Sequence, residues 1–373
     1  MNSDVLLQYE PEITQEDIDA INDYLLSGGF ITEFRKTDLF EKKISEFIKC
    51  DETIILPNGT LTLFSILKAL GIKQYSKVIV PNYTMAATAF SVIETGAEII
   101  FCDIEWPSLC LSIDALQETI DRNENINAIM FMNANGRSPS YKIDELVKLC
   151  IKKNIYLIED SAQALGSFYP DGRHMGTVGT AGSISFSMPK IITTGQGGAV
   201  ISNNQHLVKA IRSYKNFGRK NSGGLDIHET IGLNMKFTDL QAILGISQLE
   251  RINETIRTKK NNFKILKELT NNKFLKILDN DIDFTTPWFY EVVTKYRSKL
   301  ITWLEKHQIK SRIMYPELNK QKAFINHMQH KISFPISKRI SSEGLWLPSH
   351  PKLIKKDIER IASVLNEFNP NII

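Results

Sequence analysis

Lys190 lies between two short runs of apolar and hydroxyl residues, 183–187 and 199–202, directly after Met188-Pro189 and before a loop loosened by Gly195, Gly197 and Gly198. Burying an unpaired amine is costly and lowers its pKa, and a neutral amine is a nucleophile able to condense with an aldehyde cofactor. An exposed lysine in a hairpin loop would read the same way, so the upstream residues decide. There Asp160 ends an apolar run and precedes Ser161-Ala162-Gln163-Ala164-Leu165-Gly166. A carboxylate at the end of a buried strand needs a cationic partner, and a protonated pyridine nitrogen is one. Thirty residues separate Asp160 from Lys190, enough for one excursion and one further strand. Aspartate on a ring nitrogen and lysine on an aldehyde together describe a pyridoxal phosphate site.

Such groups need a frame, and the sequence supplies an alternating one. Strands are expected at 54–56, 78–80, 98–102, 128–132 and 155–158, with helices at 36–48, 60–70, 85–95, 113–119 and 143–153 between them. Near-continuous apolar strands of this kind imply a mostly parallel α/β sheet covered on both faces, with ligands at the carboxyl ends of the strands. Pro81-Asn82-Tyr83-Thr84, Asn133-Ala134-Asn135-Gly136 and Glu159 to Gln163 fall at such ends. At 57–60, Pro-Asn-Gly-Thr opens a helix whose free N–H groups could seat a phosphate, or form a simple cap. An earlier helix, 13–26, takes Thr14 as its cap and spaces Ile18, Ile21 and Leu25 along one face. Beyond residue 204, helices are expected at 205–215, 238–268, 297–307 and 355–368, with a strand at 289–293. The sequence divides into a large α/β domain over 1–250 and a smaller α+β domain over 251–373.

Composition narrows the function classes. The 373 residues carry a net charge of +3, with 42% hydrophobic and 23% charged residues, which disfavours nucleic acid as a partner. Cys50, Cys102, Cys110 and Cys150 lack metal-site spacing and fit a reducing cytoplasm. No run of about 18 apolar residues occurs, so no membrane span is expected. His327 and His330 lack a third ligand, and no metal site is expected. Gly176, Gly179 and Gly182 read as turn glycines.

These residues resemble the DegT/DnrJ/StrS-type sugar aminotransferases, within the fold type I, aspartate aminotransferase-like pyridoxal phosphate enzymes. The resemblance rests on Tyr9 to Thr14, Glu159 to Gln163, Phe186 to Gly198, Gly232 to Ala242 and Leu347-Pro348-Ser349-His350-Pro351, in that order along nearly the whole chain. It implies that Lys190 bonds the cofactor aldehyde and moves the substrate proton, that Asp160 pairs with the ring nitrogen and that Gln163 reaches the phenolic oxygen. Gly59, Thr60 and Ser185 would hold the phosphate. Asn234 would reach it from a second subunit, making the site a property of a homodimer. Ser185 could instead be satisfied by backbone, and Asn234 could cap the following helix. Met85 stands where relatives carry an aromatic residue on the ring, and would cover the ring or simply pack in the core. The segment Thr32 to Arg35 lacks the glycine usual in the family. A dehydratase branch replaces the lysine with histidine, so Lys190 favours transamination. Arg219, Arg312 and Tyr315 could contact a donor carboxylate or a diphosphate, or make surface ion pairs. The implied reaction moves an amino group from L-glutamate, leaving 2-oxoglutarate, to a nucleoside-diphosphate keto-deoxy sugar. The expected product is a 4-amino-4,6-dideoxy sugar such as GDP-perosamine, used in surface polysaccharide. A 3-keto sugar, an amino-cyclitol or a non-catalytic cofactor-binding regulator are the alternatives.

Overall fold

The computed structural model describes residues 5–219, 226–327 and 332–372. Two helices, α1 (Gln15–Leu26) and α2 (Arg35–Ile48), precede an alternating series. It runs β1 (Glu52–Leu56), α3 (Gly59–Ala69), β2 (Lys77–Pro81), α4 (Ala86–Ile93), β3 (Glu98–Cys102), α5 (Ile113–Arg122) and β4 (Ile126–Met132). It continues through α6 (Ile143–Lys153), β5 (Tyr156–Asp160), β6 (Ala181–Ser185) and β7 (Gly198–Ser202). These strands form one seven-stranded sheet in the order β1-β7-β6-β5-β4-β2-β3, in which β7 alone runs against the rest.

Period-two alternation explains why both faces are covered. Val78 and Val80 of β2 point into a core with Leu63, Ile66 and Val92 from α3 and α4. Ile79, between them, points into a second core with Leu116 and Leu146 from α5 and α6. Both helix ends of α6 are chemically marked: Asp144 and Glu145 lie in its first turn, and Asn154 closes it in the left-handed region at φ 54°.

The rest of the chain comprises α7 (Gln205–Lys215), α8 (Asp239–Glu250), α9 (Ile252–Leu269), β8 (Lys276–Ile277), β9 (Tyr290–Val293) and α10 (Arg297–Lys306). It ends with β10 (Arg312–Ile313), α11 (Pro335–Glu343), β11 (Gly344–Leu347) and α12 (Lys355–Glu367). Four short strands form an antiparallel sheet, β10-β11-β9-β8. Its core joins α9, α10 and α12, and takes in Leu6, whose N–H donates to Gln308 O at 2.9 Å. The two layers meet at Asn135 and Arg137, just after β4. The Asn135 amide holds both backbone groups of Phe289, at 2.6 and 2.9 Å. Arg137 and Glu291 form an ion pair with side chains 5% and 2% exposed.

Three expectations are corrected. The helix expected over 238–268 is two, broken at Arg251, which leaves helical backbone (φ −105°, ψ 9°) and pairs its guanidinium with the buried Asp17. That pairing turns α1 over: Asp17 faces inward while Ile18 and Leu25 stay exposed, against the apolar spacing. Gly182 lies inside β6 rather than in a turn, where an added Cβ would overlap the Gly176 backbone. His330 lies outside the described residues, among which no cluster of metal-ligating groups occurs. No helix among them is long and apolar enough to cross a membrane.

His174 gives the fold an acid limit. Its Nε2 accepts the Gly166 N–H at 2.9 Å and its Nδ1 faces Met175 O at 2.6 Å, so the ring is neutral with the proton on Nδ1. Burial pushes its pKa down to about 4. The unfolded chain takes up this proton near pH 6.5 and the folded chain does not, so stability is complete above 6.5 and falls between 6.5 and 4. We expect a loss of roughly 3 kcal/mol over that window. Urea unfolding at several pH values checks it: His174→Gln should flatten the slope, and an equally steep slope in the variant would place its origin elsewhere.

Candidate active site

Antiparallel pairing of Ser185 with Gly198 makes residues 186–197 a hairpin at the carboxyl end of β6, and Lys190 rides on it. Three hydrogen bonds fix the turn. The Lys190 N–H donates to Ser187 O at 3.0 Å, the Trp288 indole N–H donates to Pro189 O at 2.6 Å, and the Tyr9 hydroxyl donates to Lys190 O at 3.2 Å. The amine lies 4.2 Å from the centre of the Trp288 ring. Burial pushes its pKa down to about 8; Asp160 opposes that shift and Arg312 adds to it. A tenth of such amines are therefore free base at about pH 7, far more than for a solvated lysine.

Asp160, at the end of β5, is 4% exposed. Its carboxylate accepts the Thr88 hydroxyl at 2.6 Å and the Ala162 N–H at 3.2 Å. Burial raises its pKa, while Thr88, Ala162 and the charge of Lys190 hold it down. A buried carboxylate whose hydrogen-bond partners are neutral has the character needed to meet a cationic ring N–H. Gln163 lies beside it: its Oε1 accepts the Asn135 N–H at 2.7 Å and its Nε2 donates to the Tyr315 hydroxyl at 3.2 Å.

The phosphate end is built by close approach. Helix α3 begins at Gly59, so the N–H groups of Gly59 and Thr60 belong to its open first turn, while Asn58 caps Leu61 N at 2.9 Å. A Cβ on Gly59 would sit 3.2 Å from Ser185 Cβ, and one on Gly198 would sit 2.8 Å from the Gly59 nitrogen. Ser185 Oγ accepts the Ser187 N–H at 3.3 Å, so the backbone does engage this hydroxyl. The start of a helix beside a serine hydroxyl, a half-buried lysine of lowered pKa and a buried aspartate whose hydrogen-bond partners are all neutral fit pyridoxal phosphate.

The remaining expected residues are more scattered. Arg312, on β10, stacks over Trp346 at 5.5 Å and acts on Lys190 by charge. Tyr315 packs against Tyr83 at 5.8 Å and Trp346 at 4.8 Å. Arg219 pairs with Asp226 at 2.5 Å, the ion pair left open by the sequence. Met85 is 48% exposed at the cap of α4, which rules out core packing for it. Asn234 is exposed and bridges to Asn216; the cap of α8 is Thr238, not Asn234. In the segment that lacks glycine, Glu33 pairs with the buried Lys215 at 2.8 Å and accepts the Phe237 N–H at 2.8 Å. Sequence reasoning missed Thr88 and Trp288, and marked Asn135 only by its place at a strand end. Thr88 had a signal, one of two hydroxyls, with Ser91, on the inward face of a mostly apolar helix.

A mostly parallel sheet with one reversed strand, and a lysine hairpin facing a strand-end aspartate, define the fold type I pyridoxal phosphate enzymes. The comparisons narrow this class. The DegT/DnrJ/EryC1/StrS aminotransferase family matches residues 11–366, and the chain belongs to that family. It is an aminotransferase, and its cofactor is pyridoxal phosphate. A GDP-perosamine synthase from Vibrio cholerae is 31% identical over 97% of this chain and 98% of its own. A DegT DnrJ EryC1 StrS aminotransferase from Brucella abortus superposes with a TM-score of 0.87 at 26% identity, covering 94% of each chain. A Streptococcus pneumoniae structure solved in a PLP-form does so at 0.88 and 25%, over 95% of this chain and 96% of that one.

Proposed function

We propose that this aminotransferase moves the amino group of L-glutamate to a nucleoside-diphosphate-linked 4-keto-6-deoxyhexose, giving a 4-amino-4,6-dideoxy sugar of the GDP-perosamine type for surface polysaccharide. The observation that carries the chemistry is Lys190, desolvated on its hairpin and opposed by Asp160. The sugar assignment is supported by the full-length likeness to the Vibrio cholerae GDP-perosamine synthase. Pyridoxal phosphate, when bound, draws electrons from the carbon being deprotonated. Gly59, Thr60 and Ser185 would hold its phosphate, Asp160 its ring nitrogen and Gln163 its phenolic oxygen, and Met85 would cover the ring. Lys190 would hold the cofactor aldehyde and would move the proton at the reacting carbon. Its lowered pKa leaves it able to accept that proton near neutrality. Arg312 and Tyr315 receive the donor carboxylate, and Arg219 the diphosphate. Glutamate and sugar share one site in turn, so ping-pong kinetics follow.

The working unit we propose is a cytoplasmic homodimer in which Asn234 enters the neighbouring site. Its exposure, and that of Leu26 (86%), Phe30 (64%) and Ile31 (58%), supports a covered face there. The domain boundary we place at the break beside Arg251. The test is a panel of 4-keto and 3-keto sugar nucleotides and keto-cyclitols, each incubated with glutamate and read by mass. Amination of the 4-keto-6-deoxy sugar is expected; amination of a 3-keto sugar or a cyclitol alone overturns the substrate, and a cofactor band unmoved by glutamate overturns glutamate as the donor.

A further inference from the structure

Trp288 is 3% exposed and precedes β9, in the layer opposite the lysine hairpin. Nothing in its sequence surroundings marks it, yet it makes two separate contacts with one four-residue turn. Its indole N–H reaches Pro189 O, and its ring face lies 4.2 Å from Lys190 Nζ. The indole is itself fixed. It stacks on Phe289 at 3.8 Å and meets Trp346 edge-on at 5.6 Å. Phe289 is held by both ends of the Asn135 amide, and the Asn135 N–H by Gln163 Oε1. A continuous run of contacts therefore links Gln163 to the lysine amine through Asn135, Phe289 and Trp288.

We infer that Trp288 is a positioning residue for Lys190: its N–H anchors the turn, and its ring face sets where the amine rests and favours the ammonium form. The inference rests on the proposed role of Lys190. A cation over an aromatic face is stabilised by the ring quadrupole, and most where water is excluded. That attraction opposes the desolvation of the amine. Asp160 from β5 also favours the ammonium, and Arg312 from β10 disfavours it. Tyr9 touches only the lysine carbonyl among these groups, and Glu12 and Arg251 line the small cavity shared with the lysine turn. A leucine in its place removes the ring quadrupole and the N–H while leaving an apolar neighbour, so the amine should lose its proton more easily. A phenylalanine keeps a ring and loses the N–H.

The full-length protein, stripped of cofactor, is exposed to pyridoxal phosphate and borohydride from pH 6 to 9, and the label at position 190 is measured by peptide mass. For the native chain the labelling midpoint is expected near 8. Trp288→Leu should lower it by about half a unit to one unit. Trp288→Phe should keep the native midpoint and label several-fold more slowly, because the anchor to Pro189 is gone. An unchanged or raised midpoint in Trp288→Leu, or a phenylalanine variant that shifts as far as leucine, overturns the inference. Absence of label at 190 in the native chain overturns the role of Lys190 instead. Should Trp288→Leu fail to fold by circular dichroism, Trp288→Met supplies the ringless comparison.

Discussion

Lys190→Ala is expected to lower turnover by at least about 10³-fold while leaving the fold intact. Two functions depend on the one amine, cofactor attachment and proton movement, and no other amine stands on the hairpin to replace it. Removing a desolvated ammonium also takes away an unfavourable burial, so thermal stability should hold or rise slightly. The variant should still retain pyridoxal phosphate, because the helix start at Gly59, the Asp160 carboxylate and Gln163 are untouched. The bound cofactor would then show the spectrum of a free aldehyde, and borohydride would fix nothing to residue 190. A variant with native turnover would remove Lys190 from the chemistry, and one that loses the cofactor altogether would show that attachment, rather than the phosphate seat, holds it.

The second large effect concerns stability. Arg137 and Glu291 bring opposite charges together in a nearly dry place between the two layers, with the Glu291 carboxylate also accepting the Trp346 indole N–H at 3.0 Å and the Arg137 Nε donating to Asp279 O at 2.8 Å. The contact between the pair is electrostatic and is not aligned as a hydrogen bond. Glu291→Gln keeps an acceptor for Trp346 but leaves a buried guanidinium without its counter-charge. The expected cost is about 3–5 kcal/mol, which would lower the melting temperature by on the order of ten degrees. Arg137→Met combined with Glu291→Gln should recover a large part, since no unpaired charge remains. Thermal unfolding of the single and double variants decides it: a single variant within about 1 kcal/mol of the native chain would mean that water reaches the pair.

How far the sequence could be read depends on how local each feature is. The alternating strands and helices were legible because burial on both faces leaves near-continuous apolar runs, and α6 and α7 begin and end where their caps and charges place them. Lys190, Asp160 and Gln163 were legible because strand ends and glycine-rich loops mark where a site forms. The contacts that Trp288, Thr88 and Tyr9 make with the site were not. Their partners lie 99, 72 and 181 residues away, and no periodicity reports a contact across that span. The break at Arg251 was hidden for a related reason. An apolar stripe continues across it, and the residue that draws Arg251 aside, Asp17, is 234 positions earlier. Short strands such as β8 and β10, of two residues each, carry too little pattern to be seen.

One reversed strand has a wider effect. Gly198, the first residue of β7, is paired with Ser185 on one side and Leu56 on the other, and its bare α-carbon lets the start of α3 come alongside. The hairpin's reach and the anchorage of the anion are thereby geared to a common pivot. Loops on the far strands can drift to accept differently shaped sugars without disturbing this gearing. A slip of one rung in β7, by contrast, would misplace both grips in a single event, so colour and cofactor retention should vanish together rather than in turn.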